Sequence, residues 1–205
     1  MKSRKGLVSF TLLTILLLLA GDIRSVAQTD TPVQQVASEN PIRASLETLA
    51  ERLRAAMALA ALAVASPSIT DHHLHAQQVV NLLEGAEGRH FSKRVSSQQD
   101  VTPGLLADAQ SISQALKAKK SNRSFEPTLF AARKVIRFLD LALEESLLGL
   151  RERKLDRAAD RALRVYAYLS AALGRASDPA YLGGILTIIR LLSPPVSNQL
   201  ETATP

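Results

Sequence analysis

The chain contains no cysteine and no tryptophan, and it has only three tyrosines and five phenylalanines. Without cysteine it cannot form a disulfide, a thiolate zinc site, an iron–sulfur cluster or a cysteine nucleophile. Runs of alternating β-branched residues, which are typical of strands, are also missing. Leucine and alanine supply most of the 46% of residues that are hydrophobic, and both favour helix. The composition therefore predicts an all-α protein.

Motifs that identify common enzyme classes are absent as well. There is no Gly-x-Ser-x-Gly turn, and no Ser-x-x-Lys pair stands where a helix would present it to a pocket. Gly183-Gly184 precedes an apolar segment but lacks the spacing of a nucleotide-binding loop and has no Walker lysine, so it indicates close packing. We therefore expect neither catalysis nor an organic cofactor.

The first 27 residues have the pattern of a secretory signal peptide. Lys2, Arg4 and Lys5 are followed by an uncharged apolar run of 14 residues, 7–20. Such a run is short for a hydrocarbon core of roughly 30 Å, and the small residues Ser25 and Ala27 suit signal peptidase. We predict cleavage between Ala27 and Gln28 and a periplasmic or extracellular location, with an uncleaved N-terminal anchor as the alternative.

The charge of the chain is modest once the leader is removed. The formal net charge is +6, and residues 1–27 contribute +3 of it, which leaves +3. An excess of this size, spread over the remaining chain, favours solubility and does not indicate nucleic-acid binding.

Apolar residues spaced three and four apart predict a bundle of about six helices in residues 41–192. Residues 28–40 are polar and read as a flexible lead-in, and the proline-rich residues 193–205 read as a disordered tail. No proline separates Pro127 from Gly174, but one helix of that length would exceed a compact domain, so we place a break between Gly149 and Asp156. A single long helix is the alternative. The six starts are placed at Asn40-Pro41, Ser68 or Thr70, Thr102-Pro103, Ser124 with Pro127, Asp156, and Asp178-Pro179.

The chain also carries a weak sign of internal duplication. A displacement of 86 residues lays Ala76 on Ala162 and Val79 on Val165, and places the first helix on the fourth. Two similar three-helix units, residues 41–120 and 124–192, are then expected, although two Leu/Ala-rich helices also align by composition alone.

Histidines form the densest group of chemically active side chains. On a helix, His72 and His75 share one face, and His90 follows the next glycine. Two or three imidazoles are able to hold zinc or copper, so these three residues are a candidate metal site. The alternative is a partly solvated face at the start of a helix, since no zincin spacing is present.

A stripe of arginines on the fifth helix is a second candidate site. Arg153, Arg157, Arg161 and Arg164 recur every three or four residues and match anionic lipid headgroups or wall polymers outside the cell. The alternative is a solvated face whose charge Asp156 and Asp160 neutralise.

The stretch His75-Ala-Gln-Gln-Val-Val-Asn-Leu-Leu-Glu-Gly85 resembles a segment of uncharacterised exported bacterial helical-bundle proteins, as does the Pro-Gly-Leu-Leu helix start at residues 103–106. The resemblance loosely covers residues 45–190. It implies a helical bundle outside the cytoplasm but no reaction. A second histidine often stands in those proteins where this chain has Gln78, and this departure weakens any metal role that the resemblance would carry.

The sequence therefore favours an exported, non-enzymatic binding or structural module. A metal-binding protein that uses His72, His75 and His90 is one alternative, and a peripheral protein held on an anionic membrane or wall surface is another. The partner is not identified beyond an envelope surface or another protein.

Overall fold

The computed structural model describes residues 32–95, 103–119, 126–175 and 183–193, and residues 32–40 by their backbone alone. Within these ranges the chain forms helices and no strand, so the predicted all-α bundle of six helices is confirmed. The predicted signal peptide, residues 1–27, and the predicted tail beyond Ser193 lie outside the described residues. The helices are α1 (Pro32–Val64), α2 (Ile69–Glu84), α3 (Leu105–Ala118), α4 (Glu126–Gly149), α5 (Leu155–Leu173) and α6 (Ile185–Leu192), and Lys93–Val95 forms one 3-10 turn.

Several helix ends lie where the sequence placed them. Ser68 caps α2, because its hydroxyl accepts a hydrogen bond from the backbone N–H of Asp71 at 3.1 Å. Gly85 and Gly174 end α2 and α5 with positive φ angles of 75° and 79°. As predicted, the chain is not helical between α4 and α5. α4 ends at Gly149, and a turn follows it before α5 begins at Leu155.

The start of α1 was predicted too late in the chain. The helix begins at Pro32 rather than at Asn40-Pro41, and Pro41 lies inside it. Proline has no N–H to donate and costs a helix interior about 3 kcal/mol. The helix nevertheless continues through Pro41, because Ile42, Leu46 and Leu49 are buried directly after it. Residues 32–40, which the sequence assigned to a flexible lead-in, are helical.

Two predicted caps are also wrong. Lys154, in an extended conformation and without a side-chain cap bond, precedes α5, whereas Asp156 is the second residue of the helix. At that position its charge lies near the positive end of the helix dipole. Gly104, and not Thr102, caps α3. The predicted starts at Ser124 and at Asp178-Pro179 lie outside the described residues.

α2 and α3 together form one side of the bundle. Gly85, at the end of α2, and Gly104, just before α3, lie where the two helices meet. The end of α2 touches the start of α3 so closely that a Cβ atom on Gly85 would lie 2.4 Å from the backbone nitrogen of Gly104. Both helices run antiparallel to α1. Near its C-terminal end α1 meets His72 of α2, and nearer its middle Arg52 pairs with Asp108 at the start of α3.

α5 and α6 form the opposite side in the same way. A Cβ atom on Gly184 would lie 2.5 Å from the Cα of Gly174, so the end of α5 and the start of α6 also touch. The end of α6 lies beside the N-terminal half of α1, because the guanidinium of Arg43 donates to the Ser193 hydroxyl at 3.3 Å. The predicted close packing at Gly183-Gly184 is therefore confirmed.

The helix contacts have the symmetry that a duplication predicts. α1 packs against α2, α3, α5 and α6, and α4 packs against α5, α6, α2 and α3. Exchanging α1 with α4, α2 with α5, and α3 with α6 leaves the principal contacts unchanged. α2 begins at Ile69 and α5 at Leu155, which is the predicted displacement of 86 residues (155 − 69). Both observations support two three-helix halves.

The core consists of aliphatic side chains contributed by all six helices. Each fully buried leucine or isoleucine contributes roughly 1.5–3 kcal/mol relative to an exposed one. α6 is buried on one face through Ile185, Ile188 and Leu192, whereas Leu191 is exposed. None of the described helices is both long and apolar enough to cross a membrane. The largest buried aliphatic side chains are Leu46, Leu49, Leu53, Leu83, Leu105, Leu116, Leu139, Leu169, Ile185 and Ile188.

Candidate functional site

His72 is the most deeply buried ionisable side chain of the histidine group. Its Nδ1 lies 2.9 Å from the carbonyl oxygen of Ala63, so Nδ1 carries the proton and donates it to that oxygen. Ala63 is in the last turn of α1, where carbonyl groups lack helical partners. Burial lowers the pKa of His72 below 6.5, more than the Ala63 hydrogen bond raises it, and the neighbouring His73 and His75 lower it further. His72 is therefore a neutral side chain that holds the end of α1.

A small cavity lies beside His72 between α1, α2, α4 and α5. Its volume is about 10 Å³, which is the space of roughly one water molecule. A Cβ atom on Gly149 would lie 3.5 Å from Nε2 of His72, so this nitrogen faces α4. The cavity is too small for a substrate next to the imidazole, and this argues against acid–base catalysis at His72. The lining residues are Ala60, Ala63, His72, Ala76, Val79, Glu145, Ser146, Gly149, Ala162 and Val165.

The structure does not bring the predicted metal ligands together. His75 Nδ1 lies 3.2 Å from the side-chain oxygen of Gln78, and His90 Nδ1 lies 2.6 Å from Glu84 Oε1. His73 Nε2 contacts the carbonyl oxygen of Glu152 at 3.1 Å, which ties α2 to the turn between α4 and α5. Among the residues that the structure describes, no three His, Asp or Glu side chains are placed to hold a metal ion. In the described part of the chain, His72, His75 and His90 therefore do not form the predicted metal site.

Three polar side chains of α2 instead hold the loop that follows it; we call Gln77, Asn81 and Glu84 the loop clamp. Asn81 is fully buried, and its amide exchanges two hydrogen bonds of 2.9 Å with the backbone of Ser92. Gln77 donates to the carbonyl of His90 at 2.8 Å. The Glu84 carboxylate accepts from the backbone N–H of His90 at 2.7 Å. The clamp fixes the loop against α2.

The loop clamp gives a physical role to the most distinctive stretch of the sequence. Asn81 and Glu84 hold the loop, and Gly85 permits the contact between α2 and α3. Sequence reasoning did not identify this role. The available signal was Asn81 itself, a polar residue in the middle of the apolar run of residues 79–83. A buried amide requires hydrogen-bond partners, so its presence there indicates a nearby backbone segment.

The predicted arginine stripe is divided by an acidic neighbour on α4. The Glu145 carboxylate accepts from Arg161 at 2.9 Å and lies 3.6 Å from Arg164. Arg161 also lies 3.8 Å from Glu152, and its hydrogen bond to Glu145 raises its pKa. Within the described ranges Asp156 and Asp160 form no ion pair with the stripe, and the carboxylates that pair with it are Glu145 and Glu152. Neutralisation by Asp156 and Asp160 stays a prediction.

Free positive charge remains on the turn between α4 and α5 and on the first residues of α5. We call Arg151, Arg153, Lys154 and Arg157 the basic turn. All four side chains are exposed, and none forms an ion pair with the described part of the chain. Arg153 and Arg157 thus keep the accessibility that the sequence predicted for them, and two neighbouring cations join them.

A surface groove lies between the N-terminal half of α1 and α3. Its volume is about 530 Å³, and Ile42, Ile112 and Ala115 give it an apolar lining. Asp108 stands at the edge of an adjoining cavity of about 330 Å³ and pairs with Arg52. Burial raises the pKa of Asp108, and the charge of Arg52 opposes this change. The Asp108 carboxylate is therefore already partnered.

One further surface was not recognised from the sequence. Leu163 and Tyr166 of α5 are 58% and 38% exposed, although they belong to an otherwise well-packed helix. The signal was present in the sequence, because both residues are out of phase with Ala158, Ala162 and Val165, which form the buried face.

No protein-family model, no curated protein and no solved structure matches this chain.

Proposed function

We propose that the protein is an exported, non-enzymatic binding module that acts through its surface. The filled interior supports this, because the cavity beside His72 is about 10 Å³, whereas pockets that bind small molecules measure roughly 300–1,000 Å³. The groove of about 530 Å³ between α1 and α3 reaches that size, but it lies on the surface. Export rests on the predicted signal peptide, residues 1–27, which directs the chain to the periplasm or the extracellular space.

The basic turn is the surface whose chemistry most clearly favours one kind of partner, an anionic one. Its proposed partner is a bilayer that contains anionic lipids. The four cations lie within seven consecutive residues at one end of the bundle, with Asp156 as the one exposed carboxylate among them. Glu152, also in this segment, lies 3.8 Å from Arg161. The end of a bundle that carries such a turn fits a flat surface better than it fits a concave ligand.

The expected strength of this attachment follows from the number of charges. Each Lys or Arg near an anionic membrane contributes about 1 kcal/mol, so four contribute at most roughly 4 kcal/mol. Repulsion of the exposed Asp156 reduces this sum, and salt screens the attraction. This energy produces a reversible, peripheral association. It needs no membrane-spanning helix.

Vesicle sedimentation tests the proposal. The exported protein is mixed with vesicles of phosphatidylcholine alone and with vesicles that also contain phosphatidylglycerol. We expect binding to the second kind only and release by salt. The double variant Arg153→Gln/Arg157→Gln should bind about 30-fold more weakly, which corresponds to the loss of about 2 kcal/mol.

A matched control removes the same charge elsewhere. Arg133 and Arg137 are exposed on α4, away from the basic turn, and Arg133→Gln/Arg137→Gln should bind nearly as well as the natural sequence. Equal loss in both double variants would mean that net charge, and not the basic turn, determines binding. Equal binding to a soluble anionic polymer would overturn the assignment to a lipid surface.

A further inference from the structure

Glu152 lies inside the basic turn and is held by two neighbouring helices. Its backbone carbonyl oxygen accepts a hydrogen bond from Nε2 of His73 on α2 at 3.1 Å. Its carboxylate oxygen Oε1 lies 3.8 Å from Nε of Arg161 on α5. Both the main chain and the side chain of the residue between Arg151 and Arg153 are therefore fixed.

The imidazole of His73 is suited to this role because it is itself held in place. Its ring packs edge-on against the ring of His72, with the centroids 5.9 Å apart and an angle of 69° between the planes. His72 is buried and bonded to the carbonyl oxygen of Ala63. Since a carbonyl oxygen only accepts, Nε2 of His73 carries the proton and donates it to Glu152. The donor that holds the turn is thus fixed on α2.

The contact with His73 reaches the chain where helical hydrogen bonding ends. The backbone N–H groups of Arg151 and Glu152 still donate to carbonyl oxygens at the end of α4, at 3.0 and 3.1 Å. Residues 152–154 are not helical, and Lys154 is extended, with φ −104° and ψ 128°. His73 therefore fixes the main chain of the basic turn from a second helix, at the point where α4 no longer does so.

The same arrangement separates the charges of the turn. The Glu152 side chain is 25% exposed and lies beside Arg161. The cations next to it in the chain, Arg151, Arg153 and Lys154, are exposed. A carboxylate that reached an anionic bilayer would be repelled and would offset one of these cations. Fixing Glu152 against the bundle leaves the cations beside it accessible to a partner.

We infer that His73 is a positioning residue of the lipid-binding surface. By holding the Glu152 carbonyl it orders the basic turn before a bilayer is met, so the turn loses little backbone freedom on binding. Ordering one residue on binding lowers an affinity by roughly 5- to 30-fold. This role of His73 rests on the proposed binding of anionic lipid by the basic turn.

Vesicle sedimentation of histidine variants tests this role, with vesicles of phosphatidylcholine and phosphatidylglycerol. His73→Ala should bind about 5- to 30-fold more weakly than the natural sequence, because the turn is no longer ordered in advance. His75→Ala is the matched control and should bind like the natural sequence, since His75 is also half-buried on α2 but contacts Gln78 of its own helix. Binding is measured at about pH 8, where histidine side chains are ordinarily neutral, so that neither variant removes a charge.

Two amide variants test whether the donor must reach Glu152. The side chain of glutamine carries an N–H donor about as far from the main chain as Nε2 of histidine, whereas that of asparagine is one methylene shorter. His73→Gln should therefore bind like the natural sequence, and His73→Asn should bind as weakly as His73→Ala. Equal binding by the two amide variants would overturn the inference, and this comparison does not depend on the alanine variant.

Hydrogen exchange without lipid separates positioning from general stability. In His73→Ala the amides of Arg151 and Glu152 should exchange faster, while the amides in the middle of α5 keep their protection. Loss of protection across the whole bundle, with unchanged binding by the folded protein, would show that His73 only stabilises the fold and would overturn the inference.

The two proposals fail in different ways. If the natural sequence does not bind the anionic vesicles, lipid binding by the basic turn is wrong, and the role of His73 falls with it. If the natural sequence binds and His73→Ala binds equally well, lipid binding stands and the role of His73 is overturned. Equal weakening in His73→Ala and His75→Ala would also overturn it, because the effect would not depend on the contact with Glu152.

Discussion

The side-chain amide of Asn81 and the backbone of Ser92 bind each other through two hydrogen bonds of 2.9 Å, one in each direction. The Asn81 amide cannot exchange these bonds for water, because Asn81 is fully buried, whereas Ser92 is half-buried. The Asn81 side chain therefore supplies both the donor and the acceptor that the backbone of Ser92 needs. It ties the loop of residues 85–95 to α2, and the second half of the bundle has no equivalent residue.

Replacing Asn81 with alanine should weaken the protein and release the loop. The two hydrogen bonds to the backbone of the half-buried Ser92 are lost, and each contributes about 0.5–1.5 kcal/mol. Urea unfolding should show a decrease of about 1–3 kcal/mol in the free energy of unfolding, and hydrogen exchange at the Ser92 amide should accelerate. Gln114→Ala, at an exposed site on α3, is the control and should leave both measurements unchanged. Unaltered protection of the Ser92 amide in Asn81→Ala would refute the role of the clamp.

The two glycines at the ends of α2 and α4 should respond in opposite ways to alanine. Gly85 combines φ 75° with ψ −179°, a region that only glycine occupies readily, and a Cβ atom there would also meet the Gly104 backbone. Gly85→Ala should therefore destabilise by more than about 2 kcal/mol. Gly149 is helical, and a Cβ atom would make only ordinary contacts at 3.5 Å, so Gly149→Ala should be neutral or stabilising by up to about 1 kcal/mol. Similar losses in both variants, measured by thermal unfolding, would contradict the contact between α2 and α3.

Acidification should destabilise the fold through His72. Burial lowers its folded-state pKa below 6.5, so between these two values the unfolded chain binds more protons than the folded chain. The free energy of unfolding should be constant with respect to this group above pH 6.5 and should fall as the pH drops through that window. The variant His72→Gln retains an amide donor for Ala63 and should lose this part of the pH dependence. An imidazole NMR titration that places the pKa of His72 above 6.5 would contradict the account.

Cleavage of the leader can be tested directly by the intact mass of the exported protein. The predicted product begins at Gln28, because Ser25 and Ala27 stand at the positions that signal peptidase reads. A mass that retains Met1 would instead support the uncleaved anchor.

The sequence was most informative where a single residue type constrains the backbone. Gly85 and Gly174 were correctly predicted as helix ends, because their positions just beyond apolar periods admit few alternatives. Pro41 was misleading because a proline is compatible with more than one position in a helix. Proline favours the first turn of a helix but does not require it, and burial of Ile42 and Leu46 allows α1 to continue through Pro41.

The candidate sites were less predictable because they depend on contacts between distant segments. Arg161 and Glu145 are 16 residues apart on different helices, so the division of the arginine stripe could not be derived from spacing on α5. His72 and His75 share a helix face in the sequence, yet His72 contacts Ala63 and His75 contacts Gln78. His90, beyond the helix, contacts Glu84. The hydrogen-bonding partners, and not the spacing, determine where each imidazole lies.

A native mass spectrum of the protein purified from its own culture medium or periplasm tests the central claim most directly. We expect the mass of the chain that begins at Gln28 with no bound metal ion or small organic ligand, because the proposed binding uses the surface and the cavity beside His72 is only about 10 Å³. A protein that carries a metal ion or a small organic ligand would contradict the account.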